Sequence, residues 1–295
     1  AVIDGIVSIT DKDKINVFPV YEVNGDVDYK IGNIDFVGTV VVRGNVLTGF
    51  RVKAEGDIRV YGGVEGAELT AGGSIHVRGG IIANNKGSVS AGHSVHCSFI
   101  QEGNVQAGED IVVSQSIMHS QLRAGRNVIC SGSKGLIVGG VIQAGESVVT
   151  RTIGNTMSTA TVLEVGIRPE LRNELSELKR KLKENEEQLD KAEKALQLLE
   201  QMAKTGQLTQ DKLALRIKLS ATKQNAAKEN EELREQILNL EKTLDNTEWA
   251  SVKVLSTIYG GAKIVIGRYT RFVKEPVQRV TFRFSGGEIA MLPNG

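Results

Sequence analysis

The sequence predicts a mainly β protein, a parallel β-helix or β-solenoid into which a long antiparallel helical hairpin is inserted. A short phrase recurs six times between Ala54 and Thr150, and a Leu- and Glu-rich stretch follows it. The chain then returns to β alternation at its C-terminal end. We therefore expect a solenoid over residues 1–168, a coiled-coil hairpin over 169–248, and a β segment over 249–295 that packs back on the solenoid.

The recurring phrase begins with alanine, and its successive copies start 17, 20, 16, 17 and 20 residues apart. This period is too short for a helical repeat and fits one coil of a stacked β-cylinder. Because one coil cannot bury its apolar face alone, stability is expected to grow by stacking. The copies are Ala54-Glu-Gly-Asp-Ile58, Ala71-Gly-Gly-Ser-Ile75, Ala91-Gly-His-Ser-Val95, Ala107-Gly-Glu-Asp-Ile111, Ala124-Gly-Arg-Asn-Val128 and Ala144-Gly-Glu-Ser-Val148.

Each position of the phrase keeps one physical character from coil to coil. Position five is β-branched and position seven is small or apolar, so both are expected to point into the cylinder from one strand. Position four is Asp, Ser or Asn, whose side chains can bond nearby backbone in a turn. Position two is glycine in five of the six copies, which predicts a positive φ there.

The handedness of the stack is predicted from the irregular length of its coils. The left-handed solenoids of acyltransferases follow a strict six-residue beat, whereas the steps here vary from 16 to 20 residues. We therefore expect a right-handed solenoid.

Position six faces outward and changes character along the stack. It is polar in the early coils and apolar in the late ones. Since an outward apolar ladder needs a cover, we expect the C-terminal strands to lie over the final coils. The six residues are Arg59, His76, His96, Val112, Ile129 and Val149.

Helical spacing begins at Pro169, after which apolar residues recur in the rhythm of a coiled-coil seam. Gly206 and the N-cap candidate Thr209 separate two helices of about 35 residues, each about 50 Å long. Folding the helices antiparallel places Asn185 opposite Asn230. A buried asparagine pair costs stability and fixes register, so we expect these two residues to lock the hairpin. The alternative is a loose seam with two solvated asparagines.

Composition and charge limit the classes of protein that fit. The chain has 295 residues, a net charge of +1, 33 glycines and 4% aromatic residues, which suits a thin solenoid core. No apolar run is long enough to span a bilayer, and nothing resembles a signal peptide, so we expect a cytoplasmic protein.

Basic residues concentrate near the C-terminal end, where seven of them accompany two acidic residues from Ser251 onward. This excess predicts a patch for an anionic partner on the C-terminal strands. Exposed edge strands that carry Lys and Arg are the plainer explanation. The candidate residues are Arg268, Arg271, Arg279 and Arg283.

Neither the cysteines nor the histidines predict a catalytic or metal site. Cys97 and Cys130 occupy position seven two coils apart, beyond the roughly 7 Å between Cα atoms that a disulfide allows. His76 and His96 share position six of adjacent coils, and no carboxylate or cysteine completes a metal site around them. No phosphate-binding loop or nucleophile grouping occurs. We therefore expect no enzyme activity, cofactor, metal or small-molecule substrate.

Several further phrases occur in a specific order along nearly the whole chain. They are Pro19-Val-Tyr-Glu-Val-Asn-Gly-Asp-Val-Asp28, Gly32-Asn-Ile-Asp-Phe36, Gly56-Asp-Ile58, Gly62-Gly-Val-Glu-Gly66, Gly139-Gly140, Gly154-Asn155, Val165-Gly166 and Tyr259-Gly-Gly-Ala-Lys-Ile-Val-Ile-Gly267. In this order they resemble the bacterial flagellar assembly protein A (FapA) family, formerly catalogued as a domain of unknown function. The repeats are also similar to the solenoid half of the septum-site inhibitor MinC, which lacks such a helical insertion.

The resemblance implies a non-enzymatic cytoplasmic protein connected with flagellar assembly. Family members usually carry a further N-terminal domain, so the chain resembles a fragment that begins at Ala1.

Three functions remain open, and we favour the first. It is a scaffold, linked to flagellar assembly or polar localisation, whose coiled-coil arm binds a partner protein or a second copy of the chain. The second is a solenoid enzyme acting on a polysaccharide or acyl donor, which predicts clustered outward Asp, Glu or aromatic residues. The third is binding of nucleic acid or an anionic membrane by the basic C-terminal strands, which predicts a steep salt dependence.

Overall fold

The computed structural model describes residues 5–9, 15–84, 86–166, 169–204, 210–244 and 249–294. The chain divides into two compact units. We call Ala1–Pro169 together with Thr247–Gly295 the solenoid unit, and Glu170–Asn246 the helical unit.

Short strands build the solenoid unit. Those before the helices are β1 (Gly5–Ile9), β2 (Ile15–Val23), β3 (Ile34–Phe36), β4 (Thr39–Val42), β5 (Arg51–Ala54), β6 (Ile58–Val60), β7 (Val64–Glu65), β8 (Glu68–Ala71), β9 (Ile75–Val77), β10 (Ile81–Ile82), β11 (Ser88–Ala91), β12 (Val95–Gln101), β13 (Asn104–Ala107), β14 (Ile111–Ala124), β15 (Asn127–Cys130), β16 (Leu136–Ala144), β17 (Ser147–Ile153) and β18 (Thr161–Val165). Those after the helices are β19 (Ser251–Ile258), β20 (Ala262–Ile266), β21 (Tyr269–Phe272), β22 (Val277–Ser285) and β23 (Glu288–Pro293).

The strands stack in parallel, one coil on the next, which confirms the β-solenoid. Ile58 pairs with Ile75, and Ile75 pairs with Val95. Position five is 0% exposed in all six copies, and position seven is also buried. The prediction that both positions point inward is confirmed, while the right-handed sense of the stack stays a prediction.

The C-terminal strands continue the stack edge to edge. β19 pairs in parallel with β17, and β20 pairs in parallel with β18. β22 then runs antiparallel to β19, and β23 antiparallel to β22. Our expectation that these strands lie over the outward residues Val112, Ile129 and Val149 is wrong, since Lys253 of β19 lies beside Val149 in the same sheet. The unpaired backbone groups at the edge of β17 explain this addition.

The polar side chains at position four bond the neighbouring coil. Asp57 Oδ1 accepts a hydrogen bond from the backbone N–H of Ser74 at 2.9 Å, and Asp110 Oδ1 accepts one from the backbone N–H of Asn127 at 3.1 Å. Ser147 Oγ donates to Asn127 Oδ1 at 2.7 Å. We expected bonds within each turn, but the next coil presents its N–H groups to these side chains.

The glycines at position two permit close contact between coils. The prediction of a positive φ is wrong, since none of these five residues has one. A Cβ on Gly125 would instead collide with the backbone carbonyl oxygen of Gly108 in the preceding coil. At this corner the Cβ direction points along the stack, where only about 4.8 Å separates the coils. The same collision occurs in each case, at Gly72, Gly92, Gly108, Gly125 and Gly145.

The helical unit contains α1 (Pro169–Lys204) and α2 (Gln210–Leu244). Among the described residues, three ion pairs join the helices, and the residue number on α2 falls as that on α1 rises, so the helices run antiparallel. Neither helix in the described part of the chain is long and apolar enough to cross a bilayer. The ion pairs are Lys179–Glu241 at 2.7 Å, Glu186–Arg234 at 2.7 Å and Glu193–Lys223 at 3.0 Å.

Burial in the helical unit follows the apolar spacing of the sequence. Ala192, Leu199, Leu233 and Ile237 are each at most 8% exposed. These residues all belong to the apolar positions that recur at helical spacing, so one face of each helix turns toward the other.

Adding a methyl group at Gly125 should destabilise the solenoid unit. We expect Gly125→Ala to lower the free energy of unfolding by about 2 kcal/mol, because overpacking against fixed backbone costs on the order of 1–3 kcal/mol. Gly25→Ala is the control, since a Cβ there meets nothing within 4 Å. Chemical denaturation followed by circular dichroism measures the stability of each variant. If Gly125→Ala were as stable as Gly25→Ala, the steric role of the glycines at position two would be contradicted.

Candidate functional site

One outward column of side chains crosses the sheet of the solenoid unit. Position six of each coil is in register with its neighbour, and residues of β4, β19, β22 and β23 extend the same column. We call this column the position-six ladder. Its members, in order, are Val41, Arg59, His76, His96, Val112, Ile129, Val149, Lys253, Thr281 and Leu292.

A groove of about 420 Å³ lies over the early end of the ladder. The rings of His76 and His96 stack in it, with centroids 4.7 Å apart and planes 18° from parallel. Arg59, Tyr61 and Arg78 also line it. We call this site the histidine groove.

The surroundings of His76 favour the neutral form of its imidazole. The pKa of His76 lies below its ordinary value of 6.5. Burial is the larger cause, the neighbouring His96 is the next, and Asp57 opposes the shift. Arg59 forms a 3.5 Å ion pair with the Asp57 carboxylate. The guanidinium groups of Arg59 and Arg78 bring positive charge to the groove.

The two cysteines are buried and free. Burial raises the pKa of both the Cys97 and the Cys130 thiols to about 12. Because the thiolate is the reactive form, these thiols are poor nucleophiles and poor metal ligands. Among the described residues, no group of three or more His, Cys, Asp or Glu is arranged to hold a metal ion.

A second groove of about 610 Å³ lies over the other end of the ladder. Lys253, Arg279 and Arg283 line it, and no acidic residue is among the described residues that line it. Asn294 closes one side, since its Nδ2 donates to the Val254 carbonyl at 2.7 Å and its backbone N–H donates to the Arg279 carbonyl at 2.7 Å. We call this site the basic groove.

The structure brings together two of the four arginines that the sequence suggested for an anionic partner. Arg279 and Arg283 line the basic groove. The Arg268 guanidinium instead lies over the Tyr269 ring, 5.2 Å from its centroid. Arg271 donates a hydrogen bond to the Ile289 carbonyl at 2.6 Å. Both of these residues belong to the hairpin of β20 and β21.

Sequence reasoning missed Lys253 as a member of this site. Ser251-Val-Lys-Val254 repeats positions four to seven of the coil phrase, so Lys253 occupies position six. That likeness was the signal that could have placed it beside Val149 on the ladder.

Asn185 and Asn230, the two residues predicted to fix the register of the hairpin, lie in the helical unit. Asn230 is 6% exposed, its Oδ1 has no hydrogen-bond partner among the residues that the structure describes, and Asn185 is half-buried. A buried acceptor without a partner costs about 1–3 kcal/mol. The role of the two asparagines in fixing register stays a prediction.

Comparison with known proteins gives one finding about the family. The family model described as Flagellar Assembly Protein A beta solenoid domain matches residues 19–289. The matched range includes both helices and the histidine groove. No curated protein matches the chain, and no solved structure does.

Removing the neighbouring imidazole should make His76 easier to protonate. We expect His96→Gln to raise the pKa of His76 toward 6.5, because a second positive charge no longer opposes protonation. Since the folded-state pKa is depressed, His76 reduces stability as the pH falls below 6.5, and this loss should shrink in the variant. An NMR titration of the histidine side chains measures the shift. His119→Gln, outside the groove, is the control, and an unchanged His76 pKa in His96→Gln would contradict the coupling.

Proposed function

The chain belongs to the flagellar assembly protein A β-solenoid family, and from this premise we propose that it acts as a non-enzymatic scaffold in flagellar assembly. In this proposal the solenoid unit is a rigid body, and the helical unit is an antiparallel coiled coil that binds a partner protein or a second copy of the chain. The proposed location is the cytoplasm.

Apolar side chains exposed in the helical unit are the observation that carries this proposal. Leu198, Leu215 and Ile217 are 57%, 49% and 66% exposed, and all three lie toward the end where α1 stops and α2 begins. The neighbouring Leu199 is 7% exposed, so the seam between the helices is already occupied there. The three exposed side chains lie outside a seam that is already filled. Contact with a further surface would remove their apolar area from water, which is favourable.

The antiparallel coiled coil is supported by contacts at several levels of the helical unit. Ion pairs connect the helices from Lys179 to Lys223, and buried apolar residues lie between them. Exposed ion pairs contribute little to stability, so the apolar seam supplies most of the free energy that keeps the two helices together. Among the described residues of that seam, Asn230 holds a buried amide oxygen without a hydrogen-bond partner.

Removing the exposed apolar side chains should weaken the proposed partner binding and leave the helices intact. We expect Leu198→Gln/Leu215→Gln/Ile217→Gln to reduce flagellation and cross-linked partner recovery to the level of a variant that replaces residues 194–222 with a short Gly/Ser linker. Flagella are counted by electron microscopy, and self-association is measured by light scattering. Tyr29→Ser is the control, since Tyr29 is 96% exposed in the solenoid unit. Full flagellation with unchanged partner recovery after the deletion would refute the scaffold role of the helical unit.

Replacing both seam asparagines should stabilise the helical unit and make the register between its two helices less specific. We expect Asn185→Leu/Asn230→Leu to raise the midpoint of the helical melting transition, because the buried amide oxygen of Asn230, which lacks a partner among the described residues, is removed. We also expect the distance between spin labels at positions 179 and 241 to spread over several values, because an apolar seam tolerates slipped pairings.

Asn225→Leu, an exposed position on α2, serves as the control for both measurements. A single narrow distance in the double variant, with no change in association state, would show that the asparagines do not fix register.

A further inference from the structure

We propose that the position-six ladder and its two grooves form a docking surface for an acidic segment of a partner protein, in which apolar residues separate two groups of carboxylates. This inference goes beyond the scaffold role of the helical unit, because it assigns binding to the solenoid unit.

The histidine groove supplies the first positive end of the surface. Arg59 and Arg78 line it together with the stacked His76 and His96. The acidic neighbour in contact is Asp57, whose carboxylate lies 3.5 Å from Arg59. The volume of the histidine groove, about 420 Å³, lies in the range of roughly 300–1,000 Å³ that is usual for binding clefts. It therefore fits a few side chains that carry negative charge.

The basic groove supplies the second positive end. Lys253, Arg279 and Arg283 line it, and none of the described residues that line it is acidic. Like charges held close on one sheet face repel each other, and a carboxylate group placed among them would remove that repulsion. Arginine also binds carboxylates in a bidentate geometry. The groove is thus complementary to a cluster of Asp or Glu side chains.

An apolar centre separates the two ends. Val112, Ile129 and Val149 are half-buried members of the ladder, so part of each side chain remains open to a partner. From His96 to Lys253 the ladder takes four strand steps, or about 19 Å at about 4.8 Å per step. An extended segment covers that distance in about six residues, and a helix covers it in about 13 residues.

The central part of the ladder favours a protein segment over a nucleic acid. A nucleic-acid strand presents a phosphate about every 3.4 Å, yet the three central residues carry no cation. Single strands also bind through aromatic side chains that stack on bases, and the centre has none.

A fluorescent peptide with three glutamates at each end and six apolar or serine residues between them tests the proposal. Anisotropy is measured with the full chain in about 0.1 M salt. We expect saturable binding that weakens at least fivefold in Arg59→Gln/Arg78→Gln, in Lys253→Gln/Arg283→Gln and in Ile129→Glu. Lys53→Gln is the matched control, because Lys53 is exposed on β5, a strand outside the ladder, and it should leave binding unchanged.

Three comparisons decide between the proposed occupant and others. A peptide with all six glutamates at one end should bind more weakly than the two-ended peptide. Single-stranded DNA and phosphatidylserine vesicles are the competing probes, and tighter binding of either one through the same residues would overturn the proposal. Absence of peptide binding, or equal binding by the groove variants and Lys53→Gln, would also overturn it.

The result is separable from the scaffold role of the helical unit. The variant that replaces residues 194–222 with a linker should bind the peptide as the unchanged chain does, whatever its effect on flagellation. Thermal melting of each variant, followed by circular dichroism, establishes that the solenoid unit remains folded.

Discussion

The spacing of about 4.8 Å between successive coils is the constraint on which the solenoid unit depends. Backbone N–H and C=O groups of one coil form hydrogen bonds with the next coil, and these bonds hold neighbouring coils at this spacing. Any side chain that points along the stack therefore meets the adjacent backbone. Glycine at position two removes that collision, and the short polar side chains at position four bond across the same gap.

The same constraint separates residues that maintain the fold from residues that are free to bind. Inward positions are filled mostly by small or β-branched side chains, and the positions that point along the stack are mostly glycine or hydrogen-bonded polar residues. Position six points outward, so stacking permits Arg59, His76 and Val112 to follow one another in a single column. A regular scaffold thus presents a patterned surface, because an outward side chain does not interrupt the backbone ladder.

The helical unit obeys a different rule. Two antiparallel helices bury only the face that each turns toward the other, which leaves Leu198 and Ile217 exposed. It also holds a polar residue in its seam, Asn230, at a cost in stability. The two units therefore offer two kinds of surface, apolar in the helical unit and basic with an apolar centre in the solenoid unit.

The sequence by itself determined the repeat, the inward positions and the extent of the helices, because each depends on local periodicity. A period of two points Ile58 and Val60 into the core whatever the neighbouring coil does. Only the tertiary structure decided why Gly125 is glycine, since the colliding oxygen belongs to a residue 17 positions away. It likewise decided that β19 joins the edge of β17 and brings Lys253 beside Val149. Both features depend on which strand lies next in space. The helical unit separates β17 from β19 along the chain, so the local spacing of residues could not reveal that these strands pair.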